Sequence, residues 1–363
     1  MASLTLLSQV QHFLYICNIP ETHKMRYKAL ALQVTCQTVN SCQNRDEADV
    51  VMAQTLDRLE KQLAASLAFV GKDVRLVVLP EYFLTGFPMG ETIENWKAKA
   101  SLDMAGHEYE RLGALAQRLG VFLSGNVYEN DPHFPELYFQ TSFIIAPNGN
   151  VILRYRRLNS MFAPTPHDVW DKYLEVYGYE AVFPVAKTEI GNLACIASEE
   201  ILYPEIARCL AMRGAEVFCH SSSEVASNLL TQKNIAKLAR AIENMAYVVS
   251  ANSAGMAGIP IPFASTDGAS KIVNYDGLVL CEAGYGESMV ANATIDLPAL
   301  RAHRQRPAMS NFLARQRFEL YAESYARHQF YPVNSLQDKK PDRVHFVQTQ
   351  IETIKKLTDL GIV

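Results

Sequence analysis

Between Thr188 and Glu224 the chain reads TEIGNLACIASEEILYPEIARCLAMRGAEVFCHSSSE, and this stretch limits the possible folds more than any other. Ile190 to Ala197 is a short apolar run, long enough for one buried strand. Tyr203-Pro204-Glu205 opens a segment in which Ile206, Cys209, Leu210 and Met212 follow helical spacing, and Gly214 falls where a helix stops. Val217 to Cys219 resumes as a strand. A strand, a sharp turn, a helix and a second strand are therefore expected in succession. The turn residues Ser198-Glu199-Glu200 then project into the mouth of a sheet, near the free N–H groups at the start of the helix, which is good ground for a nucleophile.

The same alternation recurs along the chain. Tyr27 to Thr38 reads as a first strand, Arg45 to Val70 as a helix with apolar positions at Val50, Leu56, Leu59, Leu63 and Leu67, and Val74 to Leu79 as a buried strand. That strand runs directly into Pro80-Glu81-Tyr82, placing a carboxylate at the end of an apolar run, where acidic side chains are uncommon. Met104 to Leu119 reads as a helix and Val121 to Tyr128 as a strand. Tyr138 to Ala146 and Asn150 to Tyr155 form a hairpin through Pro147-Asn148-Gly149 and deliver Arg154, Arg156 and Arg157 to a strand end. Leu158 to Ala186, with its aromatics among prolines, has no clear period and reads as an irregular substrate loop. Thr231 to Ala246 places Ile235, Leu238, Ala239, Ile242 and Met245 on one helical face ahead of a strand over Tyr247 to Ala251. Ala269 to Val273 and Leu278 to Glu282 form a hairpin, and Met289 to Ile295 is a final strand. Two similar α/β layers are expected rather than separate domains. An N-terminal arm over 1–26 and a polar C-terminal arm over 318–363, suited to subunit contact, flank the domain over 27–317.

Composition narrows the function. A net charge of −4 over 363 residues supplies no concentrated basic face for nucleic acid or an acidic membrane, and Leu4 to Ile19 is too short and too interrupted to span a bilayer. The seven cysteines are odd in number and show no CxxC spacing, as in a reducing, cytoplasmic setting. No HExxH, Cys/His quartet, P-loop or GxSxG elbow occurs, so neither a metal site nor a cofactor site is expected.

Five separated pieces resemble the nitrilase superfamily of carbon–nitrogen hydrolases, over roughly Tyr27 to Arg317. Leu79-Pro80-Glu81-Tyr82 with Gly86 is similar to the motif around that family's catalytic glutamate, and Gly149 to Asn159, GNVILRYRRLN, to the motif bearing its catalytic lysine. Gly191 to Arg208, with Pro204-Glu205 and Arg208, is similar to the motif bearing its nucleophile. Arg240 to Asn244 with Asn252, and Gly268 to Val273 with Gly277, are supporting matches. The resemblance implies a four-layer α-β-β-α sandwich, a homodimer or larger homo-oligomer built partly on the helix from Pro204, and cleavage of a non-peptide C–N bond in a small amide, carbamoyl compound or nitrile through an acyl-enzyme, without a cofactor.

Carried over residue by residue, the catalytic positions are Glu81, Arg157 and Ser198, and only Glu81 keeps the family's residue type; cysteine and lysine stand elsewhere in the family at the other two. A serine hydroxyl is far less acidic than a thiol with a free pKa of about 8.5, so it needs a stronger base. Arg157 can donate to an oxyanion but cannot shuttle protons. Cys195 is expected on the opposite face of its strand, as a buried apolar residue. Asp171 and Glu175 are candidates for a second acid, Glu200 for orienting the turn, and the Glu199 N–H for the oxyanion site. Three readings are open: a hydrolase that works through Ser198 with Glu81 as base and Arg157 as oxyanion clamp, a catalytically impaired homologue that binds a small ligand or serves a structural or regulatory role, or an engineered cysteine-to-serine form that traps substrate.

Overall fold

The alternation of strands and helices builds two six-stranded sheets in the computed structural model, which describes residues 25–224, 230–337 and 339–363. The strands are β1 (Arg26–Ala31), β2 (Cys36–Gln37), β3 (Val74–Val78), β4 (Phe122–Asn130), β5 (Tyr138–Ile145), β6 (Val151–Arg156), β7 (Ala186–Thr188), β8 (Gly191–Ala197), β9 (Val217–Ser221), β10 (Tyr247–Ala251), β11 (Met256–Ala257), β12 (Lys271–Val273), β13 (Val279–Glu282) and β14 (Asn292–Asp296). One sheet runs β14-β1-β3-β4-β5-β6 and the other β13-β12-β10-β9-β8-β7. Each has three parallel strands at its centre, β1-β3-β4 and β10-β9-β8, with antiparallel strands outside.

Parallel neighbours need crossover helices, and these form the outer layers. Helices Arg45–Val70 and His107–Leu119 cover the first sheet, and Pro204–Met212 and Gln232–Asn244 the second. Arg45–Val70 starts because the Asn44 side chain accepts the Glu47 N–H at 3.0 Å, and it stops at Gly71, whose φ is 120°. Strand alternation sorts the core: Ala29, Leu76, Phe122 and Ile144 face the opposing sheet, whereas Leu30, Val77, Leu123 and Phe143 face the helices. The result is the expected α-β-β-α sandwich.

Three expectations change. The strand over Tyr27 to Thr38 divides into β1 and β2, because from Leu32 to Thr35 the backbone bonds to loops and to strand β3's end rather than continuing one ladder. The irregular loop contains the helix Trp170–Tyr177, opened by a Thr165-Pro166 turn whose Asp168 carboxylate accepts the Thr165 N–H at 2.9 Å; the prolines hide its period. Residues 318–363, expected as a polar arm toward a neighbouring subunit, include the helix Arg343–Asp359, which lies on its own domain with Phe346 fully buried. The expected N-terminal arm lies outside the described residues apart from its last two.

The helix Gln232–Asn244 is turned opposite to its apolar pattern. Asn234, Lys237, Arg240 and Asn244 are buried, whereas Ile235 is 53% exposed and Ile242 38%. Its polar face points inward because the ends of β8 and β9 present charged and polar groups to it. Lys237 pairs with Glu224, and Arg240 donates to the Ile201 carbonyl at 2.9 Å.

Candidate active site

Strand ends bring the candidate residues together. Glu81 follows β3, Arg157 follows β6 and Ser198 follows β8, and all three line one cavity of about 840 Å³. Two contacts between the sheets fix the rim: the Glu81 N–H donates to the Ser222 carbonyl at 3.2 Å, and Ser221 Oγ donates to the Leu79 carbonyl at 2.8 Å.

Glu81 and Arg157 are both buried and are linked by a residue that sequence reading overlooked. Gln140, on β5, donates Nε2 to Glu81 Oε1 at 2.6 Å and accepts Arg157 Nη1 on its Oε1 at 2.8 Å. Arg157 Nη1 also lies 3.6 Å from Glu81 Oε1, its Nε donates to the Asn159 carbonyl at 2.7 Å, and its Nη2 pairs with Glu199. A signal for Gln140 was present: it is a long amide side chain in YFQTSFII, a strand buried at every position.

Ser198 is held in the left-handed region at φ 47°, which is costly for a residue with a Cβ and is tolerated here because its surroundings over-determine it. His220 Nε2 lies 2.8 Å from the Ser198 carbonyl and His220 Nδ1 2.8 Å from Ser250 Oγ. Burial pushes the His220 pKa down to about 3, so a neutral ring carries its proton on Nε2, donates to Ser198 and accepts from Ser250. Lys233, in the first turn of the helix Gln232–Asn244, places Nζ 3.2 Å from Ser198 Oγ. Glu81 makes no hydrogen bond to Ser198 among the described residues.

Glu200 is fully buried and orients the turn through backbone N–H groups, those of the Arg157 loop. It accepts the N–H groups of Leu158 and Asn159 at 2.8 and 2.9 Å and the Tyr155 hydroxyl at 2.7 Å, tying the Arg157 loop to the serine turn. Desolvation raises its pKa to about 7 against the pull of Arg157 and these donors. Asp171 and Glu175 are exposed on the helix Trp170–Tyr177 and neither lines the cavity; Asp168, buried, caps the turn before it. Cys195 faces the first sheet, with Sγ 3.7 Å from Ser124 Oγ, and burial raises its thiol pKa well above the ordinary value.

Tyr82, Phe87, Tyr128, Met161 and Phe162 give the cavity an aromatic and apolar wall, to which Ser160 and Ser223 add hydroxyl groups. Val344 and Val347 of the C-terminal helix complete it. Arg343 fastens that helix, donating to the Tyr138 hydroxyl at 3.2 Å and to the carbonyls of Phe162 and Glu91. Among the described residues no group of three His, Cys, Asp or Glu side chains is placed to hold a metal ion, and no helix is long and apolar enough to cross a membrane.

The sequence profile of the carbon–nitrogen hydrolase family matches residues 38–305. The bifunctional nitrilase/nitrile hydratase NIT4A of Lupinus angustifolius is 27% identical over 67% of this chain and 73% of its own length. The formamidase of Helicobacter acinonychis (strain Sheeba) is 27% identical over 58% of each chain. The crystal structure of Saccharomyces cerevisiae Nit3, a member of branch 10 of the nitrilase superfamily, superposes with a TM-score of 0.61 at 19% identity, over 78% of this chain and 95% of that one. With its two-sheet sandwich and a family match over most of its length, the chain belongs to the carbon–nitrogen hydrolase family, the nitrilase superfamily of enzymes that act on C–N bonds.

Proposed function

We propose that the chain hydrolyses the C–N bond of a small amide, carbamoyl compound or nitrile through an acyl-enzyme on Ser198, with Glu81 and Arg157 as the other catalytic groups. One observation carries the reading: three residues from three distant strand ends line the same cavity. In amide cleavage Ser198 Oγ attacks the carbonyl carbon, the oxygen takes up the negative charge, the amine leaves with a proton, and water cleaves the resulting ester. Of the five N–H groups of a guanidinium, Arg157 uses three on Asn159, Gln140 and Glu199 and turns Nη1 toward Glu81, which leaves its charge and the second Nη2 hydrogen for the developing oxyanion. Glu81, beside it, accepts the proton of the water that cleaves the ester, and that proton returns to Ser198 Oγ as the ester bond breaks. The aromatic walls favour an apolar acyl group.

The relatives that act on nitriles and on formamide support the substrate class. A homodimer is supported by the outward apolar residues Ile235, Ile242, Tyr203 and Met212 on the two outer helices and the loop before them. The free state of Cys36, Cys42, Cys195, Cys209, Cys219 and Cys281 suits a cytoplasmic setting.

The test is ammonia release over a panel of amides, carbamoyl compounds and nitriles, with Ser198→Ala and Ser198→Cys alongside. Release that disappears in Ser198→Ala supports the reading. Inertness of both the unmodified protein and Ser198→Cys overturns it in favour of ligand binding without turnover.

A further inference from the structure

We propose that Lys233 is the proton acceptor for Ser198, forming a serine–lysine pair inside a carbon–nitrogen hydrolase frame; this rests on Ser198 being the nucleophile of the reading above. The problem it answers is chemical. A serine hydroxyl needs a stronger base than a thiol does, and an amine is intrinsically stronger than a carboxylate. Glu81 is occupied by Gln140 and Arg157 and does not bond Ser198, whereas Lys233 Nζ is 3.2 Å from Oγ, within reach of direct proton transfer.

The surroundings hold this contact from both ends. His220 fixes the Ser198 carbonyl while the left-handed backbone turns the residue at the rim, and Lys233 lines the cavity from a helix whose Thr231 cap accepts the Asn234 N–H at 3.1 Å. The titratable groups that act on Lys233 from its own side are Lys237 and Glu224, paired with each other, and His220, and across the cavity it faces Glu81, Arg157, Glu199 and Arg343.

The step balances without a co-reactant. The neutral amine takes the Oγ proton as Oγ bonds the carbonyl carbon and the carbonyl π pair moves onto oxygen. On collapse the C–N bond breaks, the ammonium returns its proton to the leaving nitrogen, and the amine is again free.

A fluorophosphonate probe reads the pair without requiring amide turnover: Oγ bonds phosphorus, fluoride leaves and the proton goes to Lys233. Intact-mass kinetics on the unmodified protein should show one adduct, absent from Ser198→Ala. Lys233→Met and Lys233→Arg should both slow it by about 10²–10⁴-fold. The arginine variant separates proton acceptance from charge or packing, since a guanidinium keeps both but takes no proton. Undiminished labelling in Lys233→Arg, or no labelling of the unmodified protein, overturns the pair. A labelled protein that releases no ammonia from any compound supports the pair and overturns the hydrolase reading, so the two fail separately.

Discussion

His220 donates from Nε2 to the carbonyl of Ser198 at 2.8 Å, and the neutral ring that makes this bond is buried beneath the serine turn. Its pKa of about 3 lies below the ordinary 6.5, so the unfolded chain takes up a proton that the fold refuses. This contribution is intact above about pH 6.5 and is lost as pH falls toward 3, at up to about 1.4 kcal/mol per unit. His220→Gln removes this contribution, so in urea unfolding between pH 5 and 7.5 the variant should lose stability relative to the unmodified protein as pH rises, and loosening of the turn should lower kcat.

Glu200 acts with the opposite sign. Its pKa of about 7 exceeds the ordinary 4.5, so the fold keeps a proton that the unfolded chain releases, and stability from this group falls as pH rises from 4.5 to 7. Between 4.5 and 6.5 the two slopes oppose each other. The unmodified protein should therefore be nearly flat there, with Glu200→Gln gaining stability as pH rises and His220→Gln losing it. Parallel profiles for all three proteins would contradict this assignment.

Gln140→Leu removes the bridge between Glu81 and Arg157 and leaves two buried charged groups each short of a partner. Hydrogen bonds to charged groups are worth about 1.5–3 kcal/mol, so thermal stability should fall by that order. Turnover should fall at least ~10-fold, for about 1.4 kcal/mol of lost transition-state stabilisation, while KM changes less.

Cys195 should be chemically silent. Buried against Ser124, it should resist iodoacetamide in the folded protein, whereas Ser198→Cys should add one rapidly alkylated thiol in the cavity. Cys195→Ala should cost about 1 kcal/mol by loss of packing and leave ammonia release unchanged.

Arg343→Ala releases the C-terminal helix from Tyr138, Phe162 and Glu91. Substrate affinity should weaken several-fold with a smaller effect on kcat, because Arg343, Val344 and Val347 line the cavity without being among the proposed catalytic groups. An unchanged KM would show that the helix plays no part in binding.

The layered fold and the three strand-end positions were legible because they depend on local patterns: apolar runs, helix stops and motifs of fixed spacing. Arg45–Val70 and Tyr247–Ala251 coincide with their expected bounds. Lys233 and His220 were not legible as site residues, since each acts across a sheet or from a helix distant in sequence, and Gln140 was marked only as an amide within an apolar strand. The helix Gln232–Asn244 shows why periodicity alone misleads. It has an apolar stripe and a cationic stripe, and the site draws the cationic one inward although isolated amphipathicity points the other way. The C-terminal helix escaped for a similar reason, because its buried contribution depends largely on Phe346 and Thr349 in an otherwise exposed sequence.

That helix lies beyond residues 38–305, the span matched by the family profile, yet it supplies part of the cavity wall. The groups proposed to perform the reaction and part of the surface that would select its substrate therefore belong to different stretches of chain. Exchange of residues 343–347 can alter the acyl groups admitted while every strand end stays in place. In this molecule, substrate range and bond-breaking chemistry can diverge independently.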